Sequence, residues 1–90
     1  MNSEALRDLV VEALEDIKGL EIVTMDVRSQ TDIADYMVVA RGGTGRQVKA
    51  LINSVLVKAK AQGANVVGME GLDAGEWVLL DLTDVIVHVM

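Results

Sequence analysis

The sequence predicts an α/β (α+β) domain in which helices flank a mixed β-sheet of about five strands. Two segments carry apolar residues at three- and four-residue spacing, which is typical of amphipathic helices. Shorter segments rich in aliphatic and β-branched residues indicate strands. The segments are interleaved in the order α-β-β-α-β-β-β, and a length of 90 residues fits a single domain over residues 1–90.

The first predicted helix extends from Ser3, whose side chain can cap it, to about Lys18. Glu4 lies in the first turn, where a negative charge suits the helix dipole, and Gly19 follows the predicted end. The helix has one apolar stripe, which is expected to face the sheet. Its members are Leu6, Leu9, Val10, Ala13, Leu14 and Ile17.

Two strands are predicted after this helix. Residues 21–27 alternate in character, with Val23, Met25 and Val27 on one face of the strand. Residues 28–35 are polar and indicate a loop. Residues 36–40 form a short apolar run, which is consistent with a buried strand.

The second predicted helix begins after a turn at residues 41–43. Thr44 followed by Gln47 forms a capping-box pattern, and Gly63 fits the position just past the end of the helix. The stripe expected to be buried consists of Val48, Leu51, Ile52, Val55, Leu56 and Ala59.

A third strand is predicted at residues 65–69, followed by a glycine-containing loop at residues 70–76. Residues 77–82 and 85–90 then read as two strands of a hairpin joined by Thr83 and Asp84. A two-residue turn places only aliphatic side chains on one face of this hairpin, which should point into the core. They are Val78, Leu80, Leu82, Val85, Val87 and Val89. A slip of one residue would spoil this match.

The other face of the hairpin is a candidate docking surface. It holds three cross-strand pairs: Asp81 with Ile86, Leu79 with His88, and Trp77 with Met90. Tryptophan is enriched among interface hot spots, and apolar groups ringed by polar ones are the usual anatomy of an interface. The predicted partner-binding residues are Trp77, Leu79, Asp81, His88 and Met90, with Glu76 beside them. Burial of this face under a helix is equally consistent with the residues alone.

Composition excludes several classes of function. A net charge of −6 disfavours DNA or RNA binding as the main activity and suits a basic protein partner. The absence of cysteine excludes a disulfide framework and thiolate metal sites. No apolar run approaches the roughly 18 residues that a membrane-spanning helix needs, and no signal peptide is recognisable. We therefore expect a cytoplasmic protein without a membrane partner.

The nearest enzymatic interpretation is nucleotidyl transfer or nucleotide binding, because Gly42-Gly43-Thr44-Gly45 lies at a helix start, where anions can bind. That transfer needs carboxylates such as Asp-x-Asp on a strand, which no predicted strand carries, and a Walker A loop is absent. The single histidine, His88, has Asp81 nearby but no evident nucleophile. We expect no enzymatic activity, catalytic residue, cofactor or metal, and keep a nucleotidyltransferase-like enzyme or nucleotide-binding regulator as the alternative.

Three sets of residues carry a family resemblance. They are Trp77-Val78-Leu79-Leu80-Asp81 with Asp84-Val85-Ile86-Val87-His88-Val89, Asp35-Tyr36-Met37-Val38-Val39-Ala40 with Arg46-Gln47-Val48, and Glu70-Gly71 before the tryptophan. Each motif is weak by itself, but together, in this order and spacing, they are specific. They resemble the ribosomal silencing factor (RsfS, or Iojap) family over essentially the whole chain.

The resemblance implies an architecture similar to that of nucleotidyltransferases. It also implies binding to the fourteenth protein of the large ribosomal subunit, on the face that meets the small subunit. Such binding would keep the subunits apart and repress translation when nutrients are short. A homodimer is implied as well. Family members often have glycine where this chain has Thr83, and they usually continue into a C-terminal tail, whereas this sequence stops at Met90 and is expected to be a trimmed or shortened member.

The cluster of Arg41, Arg46 and Lys49 has two interpretations. It could touch ribosomal RNA from the rim of a docked complex, or it could be a solvated helix start. The net charge of −6 favours the second.

Overall fold

Two helices pack on one face of a five-stranded sheet in the computed structural model, which describes residues 1–71 and 77–90. The elements are α1 (Ser3–Asp16), β1 (Leu20–Asp26), β2 (Tyr36–Arg41), α2 (Gly45–Ala61), β3 (Gly68–Glu70), β4 (Val78–Asp81) and β5 (Val85–Val89). The predicted class and the predicted order α-β-β-α-β-β-β are both confirmed.

The ends of α1 differ from the prediction in detail. Asn2, and not Ser3, caps the helix, because its side-chain oxygen accepts a hydrogen bond from the Ala5 N–H at 2.7 Å. At the other end Lys18, and not Gly19, takes the left-handed conformation, with φ of 59°. Gly19 instead allows the backbone to pass close to α1, since an added Cβ would lie only 3.1 Å from the Leu14 carbonyl oxygen.

The second helix is capped as predicted at its start and tied to the first by its own side chains. The Thr44 hydroxyl accepts a hydrogen bond from the Gln47 N–H at 3.1 Å. The predicted capping box is wrong in its other half, because the Gln47 amide instead donates to the Ile17 carbonyl at 2.6 Å. Ser54 likewise donates to the Ala13 carbonyl at 2.9 Å. These bonds satisfy carbonyls in the last turns of α1 and fix the two helices against each other.

The strands lie in the order β1-β2-β5-β4-β3. β2 and β5 are parallel, and every other neighbouring pair is antiparallel. The predicted hairpin register is confirmed, with Leu80 opposite Val87 and Leu79 opposite His88. β5 is the central strand, and the chain passes from β2 through α2, β3 and β4 before it returns as β5 beside β2.

The third strand is shorter and later than predicted. It covers Gly68–Glu70 rather than residues 65–69. Its partner β4 explains the difference, since Gly68 pairs with Asp81, the last residue of β4 before the hairpin turn. Only the Val67 N–H extends the contact, donating to the Asp81 carbonyl at 2.9 Å. The hairpin strands are trimmed similarly, to Val78–Asp81 and Val85–Val89.

The core lies between the helices and the inner face of the sheet. Its fully buried side chains come from the predicted stripes and from alternate strand positions. They include Val10, Leu14, Val38, Leu51, Ile52, Val55, Val78, Leu80, Leu82, Val85, Val87 and Val89. Burial of aliphatic side chains stabilises the fold by about 1.5–3 kcal/mol for each one. Leu9, Ile17 and Leu56 belong to the predicted stripes but are only half-buried, at the edge of the core.

Tyr36 is the one aromatic side chain of the described core, and two guanidinium groups lie over its ring. The guanidinium carbons (Cζ) of Arg7 and Arg28 lie 4.7 and 5.3 Å from the centroid of the Tyr36 ring. Arg28 also pairs with Asp26 at 2.6 Å, and these hydrogen bonds lower the pKa of the Asp26 carboxyl to about 2. The start of β2 is thereby fastened to the end of β1.

The hairpin turn predicts a stabilising substitution. Thr83 has φ of 76°, a region that costs a residue with a side chain roughly 1–2 kcal/mol and costs glycine almost nothing. Glycine also adds about 0.5–1 kcal/mol of chain entropy to the unfolded state. We expect Thr83→Gly to stabilise the fold by up to about 1 kcal/mol in urea denaturation. Thr83→Ala keeps the strain and should not stabilise; equal gains from both would show that φ is not the cause.

Candidate functional site: the open face of the sheet

The face of the sheet turned away from the helices forms the candidate site. In the chain at residues 1–71 and 77–90, no helix lies over it. We call it the open face and define it by the outward side chains of β1, β2, β5 and β4 and of the residues that continue them. They are Val23, Met25, Met37, Val39, Trp77, Leu79, Asp81, Ile86, His88 and Met90.

Strand register arranges the open face in rows that run across the sheet. One row is Met25, Met37, Ile86 and Asp81, and the next is Val23, Val39, His88 and Leu79. Trp77 immediately precedes β4 and Met90 immediately follows β5, which places both in the next row. Cross-strand neighbours on one face have Cβ atoms about 4.5–5.5 Å apart, so the rows form one continuous surface.

Most of this surface is apolar and accessible to solvent. Val23 is 51 % exposed, Met90 45 % and Trp77 43 %. The side chains of β2 and β5 that lie between them are half-buried by their neighbours. Contiguous apolar surface of this kind, with polar groups at its margin, marks an interaction site more often than a catalytic one.

His88 and Trp77 pack against each other on this face. Their ring centroids are 5.8 Å apart and the ring planes meet at 33°. Burial among the neighbouring side chains lowers the pKa of the His88 imidazole from its usual value. The neutral ring is therefore favoured, and it presents an apolar body with hydrogen-bonding nitrogens at its edge.

Asp81 combines a local structural role with its position on the open face. Its Oδ1 accepts a hydrogen bond from the Thr83 N–H at 2.8 Å, which supports the left-handed turn of the hairpin. The side chain is half-buried at the end of the row that starts at Met25. Removing the carboxylate would therefore change both the turn and the charge of the face.

The structure brings together five of the six predicted partner-binding residues. Trp77, Leu79, Asp81, His88 and Met90 lie on the open face, and Glu76 lies outside the described residues. The half of the face contributed by β1 and β2 was missed. Sequence reasoning placed the hairpin faces correctly but could not tell which strand pairs with β5. The alternation of Val23 and Met25 was the available signal.

Other candidate sites have simpler structural roles. Gly42 permits a close backbone approach, since an added Cβ would lie 2.9 Å from the Val48 nitrogen. Arg41 pairs with Glu21 at 3.1 Å, while Arg46 and Lys49 are exposed on α2. Within residues 1–71 and 77–90 no group of three or more His, Cys, Asp or Glu side chains could hold a metal ion. None of the helices described is long and apolar enough to cross a membrane.

Comparison with known proteins decides the family. The model of a family described as "Ribosomal silencing factor during starvation" matches residues 1–90. The chain belongs to the ribosomal silencing factor family. A family member from Chromobacterium violaceum is 51 % identical over 90 residues, which cover all of this chain and 74 % of that protein. One from Bacillus subtilis is 34 % identical over 89 residues, covering 99 % of this chain and 75 % of that protein.

Solved structures of two other proteins have the same architecture as this chain. A crystal structure of a Chromobacterium violaceum protein superposes with a TM-score of 0.98 at 51 % identity, over 100 % of this chain and 75 % of that one. A Bacillus halodurans protein gives a TM-score of 0.92 at 31 % identity, over 97 % and 81 %. A mouse protein named for mitochondrial assembly of the large ribosomal subunit is 28 % identical over 87 residues, covering 92 % of this chain and 38 % of that protein.

The lowered pKa of His88 predicts how stability changes with pH. The folded protein releases this proton more readily than the unfolded chain, whose imidazole has a pKa near 6.5. The contribution of the neutral His88 imidazole to the free energy of unfolding is therefore fully present above about pH 6.5. It is lost as the pH falls from there toward the pKa of the folded protein. Urea midpoints of wild type and His88→Gln should diverge across this window, and the imidazole should titrate below its usual pKa by NMR. Titration at or above 6.5 would contradict the assignment.

Proposed function

We propose that this protein is a ribosomal silencing factor that binds the large ribosomal subunit through its open face. The observation that carries the proposal is the accessible apolar face, in a chain that a ribosomal silencing family model matches from end to end. The partner proposed is the fourteenth protein of the large subunit. Occupying its surface would block joining of the two subunits and so repress translation under nutrient limitation.

The chemistry of the open face supports docking to a protein. Trp77 offers a large rigid side chain at low entropic cost, which is why tryptophan so often anchors an interface. Aliphatic surface on the neighbouring strands is added by Leu79, Val39 and Ile86. Asp81 and His88 supply hydrogen-bonding groups among them, and such groups fix the register of a docked partner.

Charge supports the choice of partner. The chain carries 14 acidic and 8 basic residues, so it attracts basic proteins and repels bare nucleic acid. Ribosomal proteins sit in an excess of RNA phosphate and are commonly basic. The exposed Arg46 and Lys49 on α2 remain candidates for a rim contact with RNA. A cytoplasmic location follows from the proposed partner.

The proposed homodimer has a consequence for the open face. If two copies met through this face, docking on the ribosome would require the dimer to dissociate. Light scattering with and without isolated partner protein distinguishes dimerisation through the open face from docking of a partner on it. The proposal assigns the face a binding role and no catalytic one.

The proposed function predicts sedimentation with large subunits. In a sucrose gradient, added protein should move from the top into the fraction of large subunits and should lower the yield of joined ribosomes when small subunits are added. Small subunits alone serve as the control and should carry no protein. Equal recovery at the top of the gradient with and without large subunits would refute the proposal.

Trp77→Ala is expected to weaken docking and to leave the fold largely intact. A hot-spot tryptophan typically costs at least about 2 kcal/mol of binding, or roughly thirtyfold in affinity. Its 43 % exposure predicts a much smaller loss of stability than the about 2–5 kcal/mol expected for Leu80→Ala in the core.

Val57→Ala is the matched control for this prediction, since Val57 is 60 % exposed on α2, away from the open face. Titration of large subunits measures binding, and the urea midpoint measures the fold. Unchanged affinity for the Trp77 variant, or an equal loss for the Val57 variant, would contradict the docking role of the open face.

A further inference from the structure

The open face concentrates the sulfur of this protein. The chain has five methionines and no cysteine, so thioethers are its only sulfur groups. Met25 and Met37 are cross-strand partners, and Met90 continues the outward side of β5 beside the position of Trp77. Met25 is 39 % exposed and Met90 is 45 % exposed, whereas Met37 is half-buried between β1 and β5.

We propose that Met25 and Met90 form an oxidation-sensitive site, at which conversion of the thioethers to sulfoxides weakens docking through the open face. The inference rests on the proposed function of that face. The oxidant is a peroxide, and hydrogen peroxide is its simplest member. A lone pair of the methionine sulfur attacks one peroxide oxygen, the O–O bond breaks, and an S–O bond forms. The sulfur is oxidised by two electrons, and the peroxide is reduced to water.

Oxidation changes the chemistry that docking depends on. A thioether is apolar and adaptable, while a sulfoxide carries a strong hydrogen-bond acceptor. Met25 lies in the row of Met37 and Ile86. A partner that docks on this apolar row would have to match it with apolar surface. An acceptor buried there without a donor weakens binding by roughly tenfold for each sulfoxide.

The fold should survive this oxidation. The described buried core contains no methionine, and its members come from the helix stripes and the inner face of the sheet. Met25 lies on the edge strand β1, and Met90 follows the last residue of β5. Both side chains are on the outside of the sheet, so a sulfoxide at either position stays in contact with water in the undocked protein.

Met69 provides a matched control within the same chain. It is 37 % exposed, close to the value for Met25. It pairs with Leu80, whose side chain is fully buried in the core, so Met69 lies on the helix side of the sheet. Peroxide reaches both residues comparably, but only one of them belongs to the open face.

The experiment compares wild type, the double variant Met25→Leu/Met90→Leu, and Met69→Leu, each with and without hydrogen peroxide. Leucine conserves apolar character and approximate volume but cannot be oxidised. Peptide mass spectrometry locates the sulfoxides, and urea denaturation checks the fold. Sedimentation with large subunits measures docking. Fluorescence of the apolar dye anilinonaphthalene sulfonate measures the open face without the ribosome.

Oxidised wild type should stay folded, bind large subunits at least about tenfold more weakly, and regain binding after treatment with methionine sulfoxide reductase and a dithiol. The double variant is compared with its own untreated sample and should keep that level of binding after peroxide, whereas Met69→Leu should lose binding on oxidation as wild type does. Unchanged binding by oxidised wild type, or protection by Met69→Leu, overturns the inference. Failure of untreated wild type to bind refutes the proposed function instead. In that case dye fluorescence tests the oxidation-sensitive site without the ribosome. If sulfoxides at Met25 and Met90 leave the fluorescence unchanged, the site is rejected.

Discussion

Packing of both helices against the same face of the sheet governs the rest of this molecule. The Gln47 amide and the Ser54 hydroxyl bind carbonyls of α1 and hold the helices side by side. Together they cover the inner face, where aliphatic side chains from four strands meet them. No helix among the described elements remains for the other face, so its apolar side chains stay in contact with water unless a partner covers them.

The residues that would serve docking are also tied to the stability of the sheet. Asp81 supports the turn at Thr83, and His88 packs against Trp77 while its strand neighbours lie in the core. Alternation makes this possible, because each strand contributes one side chain to the core and the next to the open face. A rigid aliphatic core therefore positions the candidate binding residues, so docking through the open face would need little rearrangement.

Local signals predicted the hairpin, and non-local contacts limited the rest. The two-residue turn and the period of two placed Leu80 and His88 on opposite faces because any slip would expose aliphatic side chains. The parallel pairing of β2 with β5 joins residues far apart in the chain, and no local pattern encodes it. The β1 and β2 half of the candidate site was missed for the same reason. The helix cap moved from Ser3 to Asn2 because both residue types cap well and geometry alone decides between them.

The central position of β5 has a consequence for the order of events during synthesis. Of the strands described, β5 comes last in sequence, yet it lies between β2 and β4 in the sheet. Until residue 89 has left the ribosomal exit tunnel, β2 lacks one neighbour, and neither the core nor the open face is complete. Folding of the domain during synthesis therefore waits for β5, the strand that carries His88, and both faces of the sheet become complete in the same step.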